Sequence, residues 1–140
     1  MPKGDKKGQL KTIQFGEHVT IDGYGGDPEI LNNQKIISFV LSDLPQKLGM
    51  KTLSVPMVVS APDNGLKDPG GWSGFVIIAE SHISIHTFPK RCFVSADVYS
   101  CRNGLDLQKI ISYFSETFKL SNIETNFIKR GTRYPAENLM

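Results

Sequence analysis

The sequence predicts an α/β fold of the α+β kind: a two-layer sandwich with a mainly antiparallel sheet and two main helices on one face. Three observations carry this. Two stretches repeat apolar residues at spacings of three and four: Ile36, Ile37, Val40, Leu41, Leu44 and Leu48, then Leu107, Ile110, Ile111, Phe114 and Phe118. The other apolar segments are short, extended in pattern and rich in Val, Ile and Phe. Taken in order the elements read β-α-β-β-β-α-β, and two helices with one apolar stripe each bury both stripes on a single sheet.

Residues 1–9 read as a flexible tail, and residues 10–140 as a single domain. In residues 10–24, Ile13, Phe15, Val19 and Ile21 fall on odd positions, as in a strand, with Gly16 marking a bend. Gly23-Tyr24-Gly25-Gly26 is a turn. Asp27 then caps a helix with Pro28 at its first position, Pro45 interrupts it or begins its last turn, and Gly49 ends it. Residues 51–60 form a Val-rich strand. Ser60 to Gly71 is a loop by its Gly, Pro, Asn and Asp content. A strand follows over residues 72–79, and residues 81–87 are read as its continuation until Pro89 stops it. Residues 91–101 alternate Phe93, Ser95, Asp97 and Tyr99 against Val94, Ala96 and Val98. The second helix comes next, and residues 122–129 close the sheet as an edge strand. One sheet face is left to solvent or a partner.

Composition narrows the function. Sixteen Lys and Arg against fourteen Asp and Glu give a net charge of +2, and the only basic run, Lys3, Lys6, Lys7 and Lys11, is loose. No nucleic-acid role is expected, because such a protein concentrates its charge on one face or helix. No apolar stretch reaches the ~20 residues needed to span a bilayer, and no apolar core follows the N-terminal charges. A cytoplasmic protein without a membrane partner is expected, with Cys92 and Cys101 as free thiols.

The densest polar cluster is Glu80-Ser81-His82-Ile83-Ser84-Ile85-His86. In an extended chain His82, Ser84 and His86 share one face. A polar sheet face without chemistry is one reading. A metal site is another, but His82 and His86 stand too far apart on a strand to share an ion and lack the helical HExxH frame; no metal is expected.

The segment GFVIIAESHISIHTFP resembles the processing site of the bacterial and archaeal S-adenosylmethionine decarboxylase proenzymes. The likeness runs from about Lys11 to Lys129. It takes in His18, Asp22 and GYGGDPEILNN, Ser73-Gly74 before the apolar strand, and DVYSC ending at Cys101. The resemblance implies the fold of that family and a homodimer whose protomers together build two active sites; further pairing of dimers is left open. It also implies self-cleavage between Glu80 and Ser81. The Ser81 hydroxyl attacks the Glu80 carbonyl to give an ester, elimination leaves dehydroalanine, and hydrolysis yields a pyruvoyl cofactor and ammonia. By the same resemblance His86 serves the elimination, Ser73 hydrogen-bonds near the reacting ester, Cys101 returns a proton to the substrate's α-carbon, Phe88 stacks on adenine, and Asp22 lies near the reaction centre. A pyruvoyl ketone forms a Schiff base with a substrate amine and accepts the electrons left when carbon dioxide departs. A thiol with a pKa near 8.5 suits acid work close to neutrality, although an inert buried cysteine is the other reading of Cys101. Cys92 is read as structural.

The pattern departs from the family after Phe88-Pro89. The family has Glu next, which binds ribose hydroxyls, whereas this chain has Lys90, which cannot accept hydrogen bonds. The loop before Ser73 is longer and has no aromatic residue before Trp72. The expected function is decarboxylation of S-adenosylmethionine for spermidine synthesis. The alternatives are an ornithine or arginine decarboxylase with the same pyruvoyl chemistry, or an unprocessed binding homologue.

Overall fold

A computed structural model describes residues 9–140; residues 1–8 of the expected tail lie outside the described residues. In chain order the elements are β1 (Thr12–Ile13), β2 (Gly16–Tyr24), α1 (Pro28–Leu31), α2 (Gln34–Lys47), β3 (Met57–Ala61), β4 (Gly71–Ile78), β5 (Ser81–Phe88), a 3-10 turn (Pro89–Arg91), β6 (Phe93–Ser100), α3 (Leu107–Phe118), β7 (Asn122–Arg130) and β8 (Tyr134–Pro135). Six strands form one sheet in the order β3-β4-β5-β6-β2-β7, every neighbouring pair antiparallel. β1 and β8 pair separately.

The first helical region is two helices rather than one. Asp27 accepts a hydrogen bond from the Glu29 N–H at 2.9 Å and starts α1, which lasts one turn. Asn33 then accepts from the N–H groups of Lys35 and Ile36 and starts α2. A second capping side chain six residues after the first re-starts the helix and sets its direction across the sheet. Pro45 sits in the last turn of α2, and Gly49 follows with φ +71°.

Residues 72–87 are not one continuous strand. The chain reverses at Ala79–Glu80, and β4 and β5 form a hairpin whose register pairs Ser73 with His86 and Ile78 with Ser81. The run Phe75-Val76-Ile77-Ile78 is apolar on both faces, so it conceals the change of parity that marks the turn: Val76 and Ile78 are buried on one side of it, Ile83 and Ile85 on the other. The strand expected over residues 51–60 is confined to β3; Thr52 makes only an isolated bridge to Ile78. β7 is the edge strand that the sequence predicts.

α2 and α3 cover one face of the sheet. There Ile37, Val40, Leu41, Leu44, Ile110, Phe114 and Phe118 pack with Val19, Ile21, Val76, Ile78, Ile83, Ile85, Val94 and Val98, all fully buried. Among the described residues, the other face carries no helix. Its residues follow from strand parity and register, and the side chains that bear chemistry lie there.

Candidate active site

Three cross-strand rows organise the open face. Nearest the β4–β5 turn, β2, β6, β5 and β4 contribute His18, Tyr99, His82 and Ile77; next come Thr20, Asp97, Ser84 and Phe75; then Asp22, Ser95, His86 and Ser73. Successive rows are about 7 Å apart, two residues of strand rise. Ser73, His86 and Asp22, which the sequence points to separately, therefore share one row. His86 Nδ1 lies 2.9 Å from Ser73 Oγ. Asp22 accepts from Ser95 Oγ at 2.9 Å and stands opposite Glu124.

Ser81 occupies the far end of β5 from His86. It has φ +116°, a backbone conformation that L-residues rarely adopt and that costs of order 1–3 kcal/mol. The Glu80 carbonyl, on the bond expected to break, accepts the backbone N–H of Cys101 at 3.1 Å. Cys101 is half-buried, and both it and Cys92 are free thiols. Ser81, His82, Ser84, His86 and Ser73 line one groove of about 590 Å³ together with Met57, Val59, Phe75 and Ile77. Those four apolar residues are between 41% and 54% exposed, so the groove has an oily wall open to whatever meets this face. Among the described residues, no acidic one lines it.

At the middle of the face stands Asp97, which the sequence reading placed only in the alternation of residues 91–101. Asp97 accepts from His18 Nε2 at 2.6 Å, from His82 Nε2 at 3.1 Å and from Ser84 Oγ. Burial pushes the Asp97 carboxyl up, but the hydrogen bonds from Ser84, His18 and His82 outweigh it and hold the group below the usual aspartate value. Arg130 Nη1 lies 2.7 Å from His18 Nδ1 and its guanidinium 4.4 Å above the Tyr99 ring. A guanidinium only donates, so Nδ1 accepts and the proton of the imidazole sits on Nε2. The His18 nitrogen that faces Asp97 is thus a donor committed to its carboxylate. His18, His82 and Asp97 come close enough to share an ion, and here the two imidazoles are joined to the carboxylate by hydrogen bonds. The signal available in sequence was a lone acid in the middle of an alternating strand, two residues before Tyr99 and on the parity of Cys101.

Phe88 lies apart from this groove. Its ring is 5.4 Å from Phe93, which is 5.3 Å from Tyr24, and it borders a second cavity of about 590 Å³ with Asn64, Lys67, Asp68 and Arg91. Lys90 does not line that cavity: it faces a hollow with Pro28, Glu29, Asn32 and Lys35. Trp72 is occupied elsewhere, its Nε1 donating to the Asn32 carbonyl at 3.0 Å.

Comparison with known proteins agrees with this arrangement. The family model described as S-adenosylmethionine decarboxylase matches residues 17–131. Two similar curated proteins are S-adenosylmethionine decarboxylase proenzymes. That of Caldicellulosiruptor saccharolyticus is 33% identical over 84% of this chain and 89% of its own, and that of Thermococcus kodakarensis is 36% identical over 88% and 80%. The crystal structure of the adenosylmethionine decarboxylase from Aquifex aeolicus superposes with a TM-score of 0.74 at 25% identity, covering 90% of this chain and 98% of that one. With the processing segment, the sheet and the relatives in agreement, this chain belongs to the S-adenosylmethionine decarboxylase family.

Proposed function

We propose that the chain is a proenzyme that cuts itself between Glu80 and Ser81, turns Ser81 into a pyruvoyl group, and then decarboxylates S-adenosylmethionine as a homodimer. The observation that carries this is the setting of the Glu80–Ser81 bond: a strained serine follows a carbonyl that already holds the Cys101 N–H. The Ser81 hydroxyl attacks the Glu80 carbonyl carbon. The Cys101 N–H stabilises the negative charge that grows on the oxygen, a contribution of about 10²–10³ in rate for one well-placed donor. Collapse breaks the C–N bond and leaves an ester with a free amine. A base then removes the Ser81 α-proton, the Cβ–Oγ bond breaks, and Glu80 leaves as a carboxylate. Tautomerisation and hydrolysis release ammonia.

The base for that elimination comes from a second copy. His86 and Ser81 are five residues apart on β5, about 17 Å at 3.3–3.4 Å per residue, beyond the reach of a histidine side chain. Two open faces meeting about a twofold axis bring His86 and Ser73 of one protomer to Ser81 of the other. The exposed apolar wall of Met57, Val59, Phe75 and Ile77 supports that face as the contact.

In turnover the pyruvoyl carbonyl supplies an electrophile for the substrate amine and an electron sink when carbon dioxide leaves. The residues at position 81 fit such a group: a free thiol lies one strand away, and the groove beside it is apolar and accessible. Cys101 delivers a proton to the substrate α-carbon. Asp22 and Phe88 lie at the His86 end of the sheet, so they too come from the second copy: its Asp22 meets the cationic part of the substrate, and its Phe88 offers a face to adenine. Lys90 stands in a different hollow from Phe88, so it does not oppose a nucleoside there.

Co-expression tests the shared site. Ser81→Ala alone stays uncut, and His86→Ala alone cuts slowly. Mixed in one cell, they form dimers in which the His86→Ala chain regains cleavage, read by intact mass. No recovery in isolated mixed dimers removes the second copy from the mechanism. Carbon dioxide release from the processed protein, offered S-adenosylmethionine, ornithine, arginine or lysine, tests the substrate. A preference in kcat/KM for a basic amino acid overturns it.

A further inference from the structure

The geometry points to Glu17 as a positioning residue for Cys101, acting on both the cut at Ser81 and the fate of the substrate α-carbon. This rests on the roles just given to Ser81 and Cys101. Glu17 lies on the helix-covered parity of β2, where the following residues of the same parity, Val19 and Ile21, belong to the core. Only 8% of it is exposed. A charged side chain in such a place needs partners that repay its lost hydration. It finds them three and four residues after Cys101: Oε1 accepts the backbone N–H groups of Gly104 at 2.9 Å and Leu105 at 2.8 Å.

Those two bonds complete the fastening of the loop from β6 to α3. Ser100 Oγ accepts from the Arg102 N–H at 3.0 Å, and the Arg102 guanidinium reaches back to the Gly49 carbonyl at 2.9 Å. Gln14 Nε2 donates to Asn103 Oδ1 at 2.8 Å. Beneath the loop, β2 runs so close that a Cβ on Gly16 would stand 2.1 Å from the Ser100 carbonyl oxygen and 2.8 Å from Cys101 Cα. The register places Glu17 opposite Ser100, and Ser100 opposite Ser81. Cys101 is therefore held at the mouth of a loop with little freedom. Its N–H meets the Glu80 carbonyl, and it directly follows Ser100, the residue opposite Ser81. Among the described residues, Glu17 is the only one that meets the loop with an ionisable carboxylate from within the sheet, and it clasps the turn itself.

The required property is an acceptor at this position, not a charge. Glu17→Gln keeps an acceptor at Oε1. Glu17→Ala leaves two loop N–H groups without their partner and lets Cys101 drift. A misplacement of about 1 Å costs up to a hundredfold in a reaction of this kind. Three readouts follow. In Glu17→Ala the rate of cleavage at Ser81 falls about tenfold to a hundredfold. The processed fraction, given S-adenosylmethionine, then accumulates chains whose N-terminal pyruvoyl has become alanine, because the proton reaches the wrong atom. Glu17→Gln restores most of both. The third readout needs no activity. In the uncut Ser81→Ala background, alkylation of Cys101 by iodoacetamide, mapped apart from Cys92 by peptide mass, changes severalfold on adding Glu17→Ala and returns with Glu17→Gln. A Glu17 that only supports folding lowers yield and melting temperature while leaving the alanine fraction and Cys101 alkylation at parental values, and that result overturns the proposal. A parent that never cuts at Ser81 refutes the proposed reaction instead, while the alkylation series still decides whether Glu17 governs Cys101.

Discussion

Asp97→Ala should cost the fold about 3 kcal/mol, and the estimate follows from its partners. The carboxylate is only 19% exposed in its side chain and accepts from Ser84, His18 and His82. A hydrogen bond to a charged group contributes roughly 1.5–3 kcal/mol. Ser84 and His18 are held well out of solvent, and the low end of that range suits each. His82 is 41% exposed, so its share is closer to the surface value of about 0.2–1 kcal/mol. The sum, about 3 kcal/mol, corresponds to a melting-temperature drop of roughly 10 °C for a chain of this size. Urea denaturation in the Ser81→Ala background measures it, because that chain cannot cut itself during the experiment. The pH dependence adds a second check. The folded carboxyl lies below its ordinary value of 3.8, so its stabilisation is complete above the unfolded value and is lost as pH falls through the folded one. The stability gap between parent and Asp97→Ala should hold steady at neutral pH and narrow below pH 4. A loss under about 0.5 kcal/mol at pH 7, the size of an ordinary surface substitution, would refute the view of Asp97 as the hub of this face.

Three more outcomes are expected. Cys101→Ala cuts at Ser81 but converts its own pyruvoyl group to alanine once substrate is added; intact mass before and after substrate shows it, and full turnover without alanine excludes the thiol. Gly16→Ala drives a methyl into the Ser100 carbonyl, so it should destabilise the chain by about 1–3 kcal/mol and slow cleavage, whereas Gly65→Ala, with open space around it, should show only the modest strain of its φ of +75°. Lys90→Glu should change kcat/KM for S-adenosylmethionine less than twofold, since Lys90 and Phe88 line different cavities.

The sequence made the apolar stripes of the two main helices, the Asp27 cap and most strands readable because each rests on local chemistry, but not the restart of the first helix at Asn33. The 3.6-residue stripes, Asp27 before Pro28, and the alternation in β6 need no distant partner to be seen. The β4–β5 turn was hidden because Phe75 to Ile78 has no polar face to betray its parity and no Gly, Pro or Asn marks Ala79-Glu80. At the candidate site, the resemblance named Ser73 and His86, and the hairpin explains why they touch: thirteen residues apart in sequence, they are directly opposite in register. Asp97 and Arg130 escaped notice because their meaning lies in residues far along the chain: His18, His82 and Ser84 for the one, His18 and Tyr99 for the other. Glu17 left a subtler trace, a charge on the same parity as Val19 and Ile21, where the strand pattern asks for an apolar residue.

The order of strands decides what happens to the molecule after a cut at residue 80. Residues 1–80 own β1 to β4 and residues 81–140 own β5 to β8, yet across the main sheet ownership runs first piece, second piece, first again, second again: β3-β4, β5-β6, β2, β7. β1 and β8 add one more seam between them. The two pieces are interlaced like fingers, and separating them means unzipping four antiparallel ladders at once. Breaking the backbone at this place therefore frees an N-terminus without freeing a fragment. It also makes assembly one-way. The intact chain gathers its strands as a single molecule, but once cut and unfolded, two separate peptides must find each other in solution, so recovery becomes dependent on concentration. The polypeptide is one chain for as long as it needs to fold and two for as long as it needs to work.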